Sequence, residues 1–189
     1  DPQAKQKLIV ELYDKFFRNA FPRMTERLGI VYTPVEVVDF IIHSVNDILQ
    51  EEFGLTLGSK GVHILDPFVG TGTFVTRLMQ SGLITPEQLP HKYKHEIHAN
   101  EIVLLAYYIA AINIEATYHD IVGGDYVPFE GICLTDTFQM YEKEDLVDQL
   151  LVENSGRRKR QKALDIRVIV GNPPYSVGQG SANDNNQNI

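Results

Sequence analysis

The chain has 189 residues, 43% hydrophobic and 22% charged, with 17 Lys and Arg against 25 Asp and Glu and a net charge of −8. Those fractions fit one globular domain with a sizeable core, and the acidic excess excludes a chain that grips nucleic acid through a general cationic surface. A single cysteine, Cys133, excludes a disulfide framework or a cysteine-based metal site and suits a reducing cytoplasm, while the longest apolar run, residues 102–112, is too short to span a bilayer, so neither a metal nor a membrane is expected.

Residues 3–20 place Leu8, Ile9, Leu12, Tyr13, Phe16 and Phe17 on one helical face, with Pro22 closing the segment. Residues 1–30 are therefore expected to be a helical segment of their own, set apart from a domain over 31–189. Next come Tyr32, Thr33 and Pro34, where Thr33 is expected to cap a helix, Pro34 to occupy its first position and Glu36 to complete a capping box. The helix they start should turn Val38, Ile41, Ile42, Val45, Ile48 and Leu49 inward. Gly54 follows its end.

Val62, Ile64 and Leu65 then read as a short buried strand, and Phe74, Val75, Leu78 and Met79 recur at helical spacing. Between them lies Asp66-Pro67-Phe68-Val69-Gly70-Thr71-Gly72-Thr73. Glycines at such a turn allow positive φ and close approach of the backbone to a ligand. A phosphate-binding loop would carry a lysine after the second glycine, and a dinucleotide fingerprint a third glycine where Val75 stands. Neither is present. What the turn has instead is an acid at the strand end, Asp66, suited to accept hydrogen bonds from a cationic or amine-bearing ligand.

Residues 81–94 read as a polar connection, and residues 95–102 as a second strand by alternation, ending in Glu101. On open α/β sheets the acid after the second strand accepts hydrogen bonds from ribose hydroxyls, and Glu101 is expected to do so here. Residues 102–114, apolar nearly all round, predict a buried helix. A third strand over 131–134 runs into Asp136, with a polar helix following at 142–153. Arg157, Arg158, Lys159, Arg160 and Lys162 form a dense basic run that reads as a solvated loop, since nothing aromatic is interleaved with it.

A β-branched strand at 167–170 delivers Gly171-Asn172-Pro173-Pro174-Tyr175. Two prolines fix the backbone and leave their carbonyls free to face a ligand, Asn172 adds an amide oxygen, and Tyr175 a flat π face. Two acceptors beside a stacking platform are what an extruded base with an exocyclic amine requires. The carbonyls of Asn172 and Pro173 would take both amine protons and aim the nitrogen lone pair at a methyl donor. No cysteine nucleophile is needed.

The run from Asp66 to Phe74 resembles the cofactor motif of S-adenosylmethionine-dependent DNA methyltransferases acting on exocyclic amines, some of which place a similar Tyr-Thr-Pro upstream. Asn172 to Tyr175 resembles the catalytic tetrad of adenine-N6 DNA methyltransferases, and the continuation from Ser176 through the asparagine-rich tail is similar to type ISP restriction-modification enzymes. The resemblance implies a Rossmann-like α/β core, truncated after its fourth strand. Its cofactor would be S-adenosylmethionine, bound by Tyr32, Thr33, Pro34, Asp66, Pro67, Gly70, Gly72, Phe74, Glu101 and Asp136, with Asp136 holding the adenine amine and Asp125 the alternative. Its substrate would be duplex DNA with a flipped adenine, served by Asn172, Pro173, Pro174 and Tyr175. Nuclease and translocase parts would lie upstream and a target-recognition part downstream, as the missing initial Met and the abrupt end at Ile189 also suggest for a fragment. A protein glutamine methyltransferase and a non-catalytic cofactor- or DNA-positioning module are the competing readings.

Overall fold

The computed structural model describes residues 33–138 and 152–174. The chain divides into two compact units, Pro34–Asn172 and Asp1–Thr33 with Pro173–Ile189; of the latter only Thr33, Pro173 and Pro174 are described. The expected first helix, Tyr32, Tyr175 and residues 142–151 of the expected polar helix lie outside the described residues.

The unit Pro34–Asn172 is built on four strands, β1 (His63–Asp66), β2 (Ile97–Glu101), β3 (Ile132–Leu134) and β4 (Ile166–Ile169), in the spatial order β3-β2-β1-β4. Every pairing is parallel, with Ile64 aligned to Ile97 on one side and to Val168 on the other. The chain steps outward from β1 to β3 and then returns to the far side of β1. That reversal opens a crevice at the carboxyl ends of β1 and β4, where open α/β sheets take their ligands.

All five residues of β2 are buried, so the alternation expected over 95–102 does not describe it. A parallel strand covered on both faces gains from burying every side chain, and alternation is the mark of a half-exposed one. Helix α1 (Val35–Phe53) precedes β1, α2 (Thr73–Gln80) links β1 to β2, α3 (Leu104–Val122) links β2 to β3, and α4 (Val152–Lys162) precedes β4.

Helix α1 begins one residue later than expected. Pro34 is extended, with ψ 139°, so it stands outside the helix and its carbonyl accepts from the N–H groups of Val37 and Val38. The capping box built on Thr33 and Glu36 is replaced by this backbone cap. Val38, Ile42 and Leu49 are buried, but Ile48 is exposed, contrary to expectation. Asn46 takes a place on the inner face because its Oδ1 accepts the N–H of Leu57, 3.0 Å away. Asp39 grips Arg77 of α2 through two bonds of 2.8 and 2.6 Å, a bidentate geometry that fixes one helix on the other.

Helix α3 also departs from its expectation. Ala106, Ala110 and Ile114 pack inward, while Leu104, Leu105, Tyr108 and Ile112 are exposed. The small residues face the glycine turn: a Cβ on Gly72 would lie 3.3 Å from Ile114 Cγ1 and 3.4 Å from the Ala110 carbonyl. The basic run at 157–162 belongs to helix α4 and is not a loop. Arg157 of that helix reaches the Tyr107 hydroxyl at 2.8 Å and so ties α4 to α3.

At the amino ends of the strands a charged cluster is buried. The connection expected to be polar turns through Leu89–His91 into a π-helical turn, Lys92–Glu96. Lys92 is 1% exposed; its Nζ donates to the carbonyls of Ser59 and Val62 at 2.7 and 2.8 Å and meets Glu96 Oε2 at 2.7 Å. Glu96 Oε1 accepts the N–H of Gly61 at 2.7 Å. The pair therefore fastens the start of β1 to the start of β2. Burial pulls the Lys92 ammonium below its ordinary pKa. Burial pushes Glu96 the other way, but its hydrogen bonds to Lys92 and Gly61 win and hold it low.

Candidate active site

At the carboxyl end of β1 the chain must turn back over the sheet, and Gly70 and Gly72 do this with φ of 55° and 91°. Both lie in the left-handed region that favours glycine. The loop between them is tied down on several sides. Val69 N–H donates to the Asn100 carbonyl at 2.9 Å, Gly70 N–H to Glu101 Oε2 at 2.9 Å, and Asn113 Nδ2 to the Thr71 carbonyl at 2.9 Å.

Glu101 ends β2 beside this loop. Its second oxygen, Oε1, accepts the N–H groups of Ile102 and Val103 at 3.0 and 2.8 Å, so the carboxylate is held by backbone on both sides. Burial raises its pKa and those N–H bonds oppose the rise. The structure thus gives Glu101 a role that its position in the sequence did not reveal: it clamps the glycine turn. Each carboxylate oxygen still has acceptor capacity beyond these bonds.

Asp66 stands at the end of β1 and is 2% exposed. One oxygen, Oδ1, accepts the N–H of Phe68 at 3.0 Å; the other, Oδ2, is buried without a hydrogen-bond partner among the described residues. Burial pushes the carboxyl up to about 7, the Phe68 bond works against that, and the neighbouring Glu101 adds a smaller push upward. An acceptor left bare in a closed place costs stability unless something arrives to use it.

Gly171, which follows β4, lies against Asp66. A Cβ there would sit 2.7 Å from Asp66 Oδ1 and 3.3 Å from Pro67 Cδ, so only glycine lets this strand end approach β1 so closely. Asn172 comes next, half-buried at the switch point. The cofactor-type turn and the first residue of the Asn-Pro-Pro-Tyr run therefore meet through Asp66 and Gly171.

Asp136 follows β3, half-buried, with Oδ1 accepting the N–H of Phe138 at 2.9 Å. Asp125, the alternative acid, is exposed in the segment before β3. Phe74, expected at the ligand, is 5% exposed and belongs to the hydrophobic core with Val75 and Leu78, since it enters the sheet face as the first turn of α2 begins. Among the described residues no group of His, Cys, Asp or Glu is arranged to hold a metal ion, and no helix is long and apolar enough to cross a membrane.

The acids and the glycine turn line the carboxyl ends of β1, β2 and β3, and Asn172 follows β4 across the reversal from them. This is the architecture of a Rossmann-like α/β methyltransferase core. The family model for N-6 DNA Methylase matches residues 4–189, and the chain belongs to that family. It is 55% identical to a nuclease-deletion mutant of the type ISP restriction-modification enzyme LlaGI, in complex with a DNA substrate mimic, over 99% of this chain and 15% of that one, with a TM-score of 0.81. It is 56% identical to the ATP-dependent type ISP enzyme LlaBIII bound to DNA, over 95% of this chain and 12% of that one, with a TM-score of 0.82. To DrdV in a DNA complex it is 45% identical over 98% of this chain and 18% of that one, with a TM-score of 0.88. The chain thus spans less than a fifth of each of these solved chains. No curated protein matches it.

Proposed function

We propose that this chain forms the S-adenosylmethionine site and the amine-orienting residues of a DNA methyltransferase that modifies the N6 amine of adenine within a restriction-modification enzyme. The observation that carries the reading is the contact of Asp66 with Gly171, which puts the glycine turn and Asn172 side by side at the switch point. The residues present fit the cofactor. Its sulfonium and ammonium are cationic, and Asp66 offers a buried oxygen with no hydrogen-bond partner among the described residues. Its ribose has hydroxyls for Glu101, and its adenine an amine for Asp136. Pro67, Gly70 and Gly72 shape the wall between these acids, and Tyr32, Thr33 and Pro34 complete the cofactor set by the sequence reading.

S-adenosylmethionine, when bound, supplies an electrophilic methyl group. The chain's part is to present a nucleophile to it. The amide oxygen of Asn172 accepts a hydrogen bond from one N–H of the adenine amine, and the carbonyl of Pro173 accepts one from the other. Both bonds strengthen as the nitrogen turns tetrahedral, which is where an acceptor accelerates a reaction. Pro174 stiffens the turn and Tyr175 stacks on the extruded base. Duplex DNA is the substrate, and nuclease, translocase and target-recognition parts of a longer cytoplasmic protein would supply the cationic grip that an acidic chain of net charge −8 lacks.

The test is methyl transfer from labelled S-adenosylmethionine by the full-length protein, with the product nucleosides resolved. Label in N6-methyladenosine of DNA supports the reading. Label in a protein amide, or none at all, overturns it.

A further inference from the structure

The loop after β3 touches the loop after β1 at two points. The Thr137 hydroxyl donates to the Pro67 carbonyl at 2.7 Å and accepts from Asn100 Nδ2 at 3.2 Å. The ring of Phe138 lies over Phe68, with centroids 5.3 Å apart. Asn100 in turn takes the N–H of Val69 on its carbonyl. One hydroxyl therefore joins the loops that follow β1 and β3 to the carboxyl end of strand β2, and it stands next to Asp136 in sequence and, through Pro67, next to Asp66.

We propose that Thr137 is a positioning residue that sets the span of the cofactor cleft, fixing the loop that carries Asp136 against the loop that carries Asp66. The inference rests on the reading of this cleft as the S-adenosylmethionine site. The physical ground is the reach of the hydroxyl. A ligand that is to be held at its methionine end by Asp66 and at its adenine end by Asp136 needs those loops at a fixed separation before it arrives, because ordering them on binding would cost affinity. Serine keeps both bonds of Thr137, whereas valine keeps the shape and loses donor and acceptor together. Thr137 touches no reacting atom in this scheme, so its effect falls on cofactor capture and not on the methyl-transfer step.

The experiment compares Thr137→Val and Thr137→Ser with the wild type in the full-length protein, measuring cofactor KM and kcat for DNA methylation. For Thr137→Val the KM for S-adenosylmethionine should rise about tenfold, toward the low end of what the loss of two net hydrogen bonds costs. Its kcat at saturating cofactor should stay within about twofold, and Thr137→Ser should return KM to within about threefold of wild type. An unchanged KM in Thr137→Val overturns the proposal, as does a fall in kcat with KM unmoved, or a Thr137→Ser variant as impaired as Thr137→Val. A wild-type protein that binds no S-adenosylmethionine by calorimetry would instead overturn the reading of the cleft, and the role of Thr137 with it.

Discussion

The two ends of the same sheet treat buried charge in opposite ways. At the amino ends, Lys92 and Glu96 satisfy one another and the backbone of Ser59, Gly61 and Val62, and the Lys92 ammonium meets three oxygens. At the carboxyl ends, Asp66 has one oxygen bonded and one without a hydrogen-bond partner among the described residues, and burial has pushed it up to about 7. A cluster closed on itself holds a fold together. A buried carboxyl with an oxygen left over fits the proposed ligand site, since perturbed acids gather at functional sites.

That contrast breaks most visibly at Asn172. Asn172→Ala in the full-length protein should lower single-turnover methylation by about 100-fold or more while cofactor affinity barely moves, since in the proposed mechanism its acceptor acts in the transition state. Tyr175→Ala should cost about 1–3 kcal/mol, chiefly in capturing the base. A duplex with the target adenine mismatched should partly rescue Tyr175→Ala and leave Asn172→Ala dead. Equal rescue of the two would remove the distinction between them.

Next in size is the amino-end cluster. Lys92→Ala leaves the buried Glu96 with the Gly61 N–H and the His91 ring but without its lysine, and should destabilise the fold by about 3–5 kcal/mol in denaturant titrations. Lys92→Met, made together with Glu96→Gln, should recover much of that loss, and cofactor affinity of whatever remains folded should be unchanged. A fall in affinity at constant stability would mean that the two ends are not separate in function. Glu101→Ala should sit between the two ends in character. It releases the Gly70 N–H and removes the proposed acceptor for ribose, and it should weaken S-adenosylmethionine by about 1–3 kcal/mol.

How far these regions could be read from the sequence differs for a physical reason. The glycine turn, Glu101 and the Asn172 run are local: each is a strand end followed by residues with special backbone or side-chain chemistry, and the strands carrying them were recognisable from apolar, alternating or β-branched residues. The Lys92 cluster was not recognisable, because Lys92 fell in the polar stretch 81–94 and Glu96 in a strand read as alternating, and it is the bonds to residues 59–62 that make the pair interior. The contact of Gly171 with Asp66 is equally invisible, since it depends on β4 returning beside β1. The uniform apolarity of α3 hid its direction: with Leu, Tyr and Ile on every side, the small Ala106 and Ala110 decide which face packs, through the space they leave for the turn at Gly72.

A smaller effect separates the two ends by pH. Between about pH 4 and 7 the folded protein holds a proton on Asp66 that the unfolded chain has released, so the contribution of Asp66 to stability falls as pH rises through this window. Glu96 has the opposite sign and acts only below its ordinary value of 4.5, where protonation breaks its bonds. His98, pushed down to about 4 by burial and by His63 beside it, also opposes Asp66 between about 4 and 6.5. The difference between wild type and Asp66→Asn isolates the one group. Asp66→Asn should gain stability relative to wild type as pH rises from 4 to 8, by up to a few kcal/mol.

The most direct test of the claim that the bare carboxyl awaits a cationic cofactor is calorimetric titration of S-adenosylmethionine into the full-length protein at pH 6, 7 and 8, in buffers of different ionisation enthalpy. A cation seated beside Asp66 favours its charged form, so binding should release a proton at pH 6 and affinity should rise with pH, levelling off above about 7. Asp66→Asn should bind more weakly and lose both the proton release and the pH dependence. Affinity that is independent of pH in the wild type, with no proton released and Asp66→Asn binding equally well, would contradict the account.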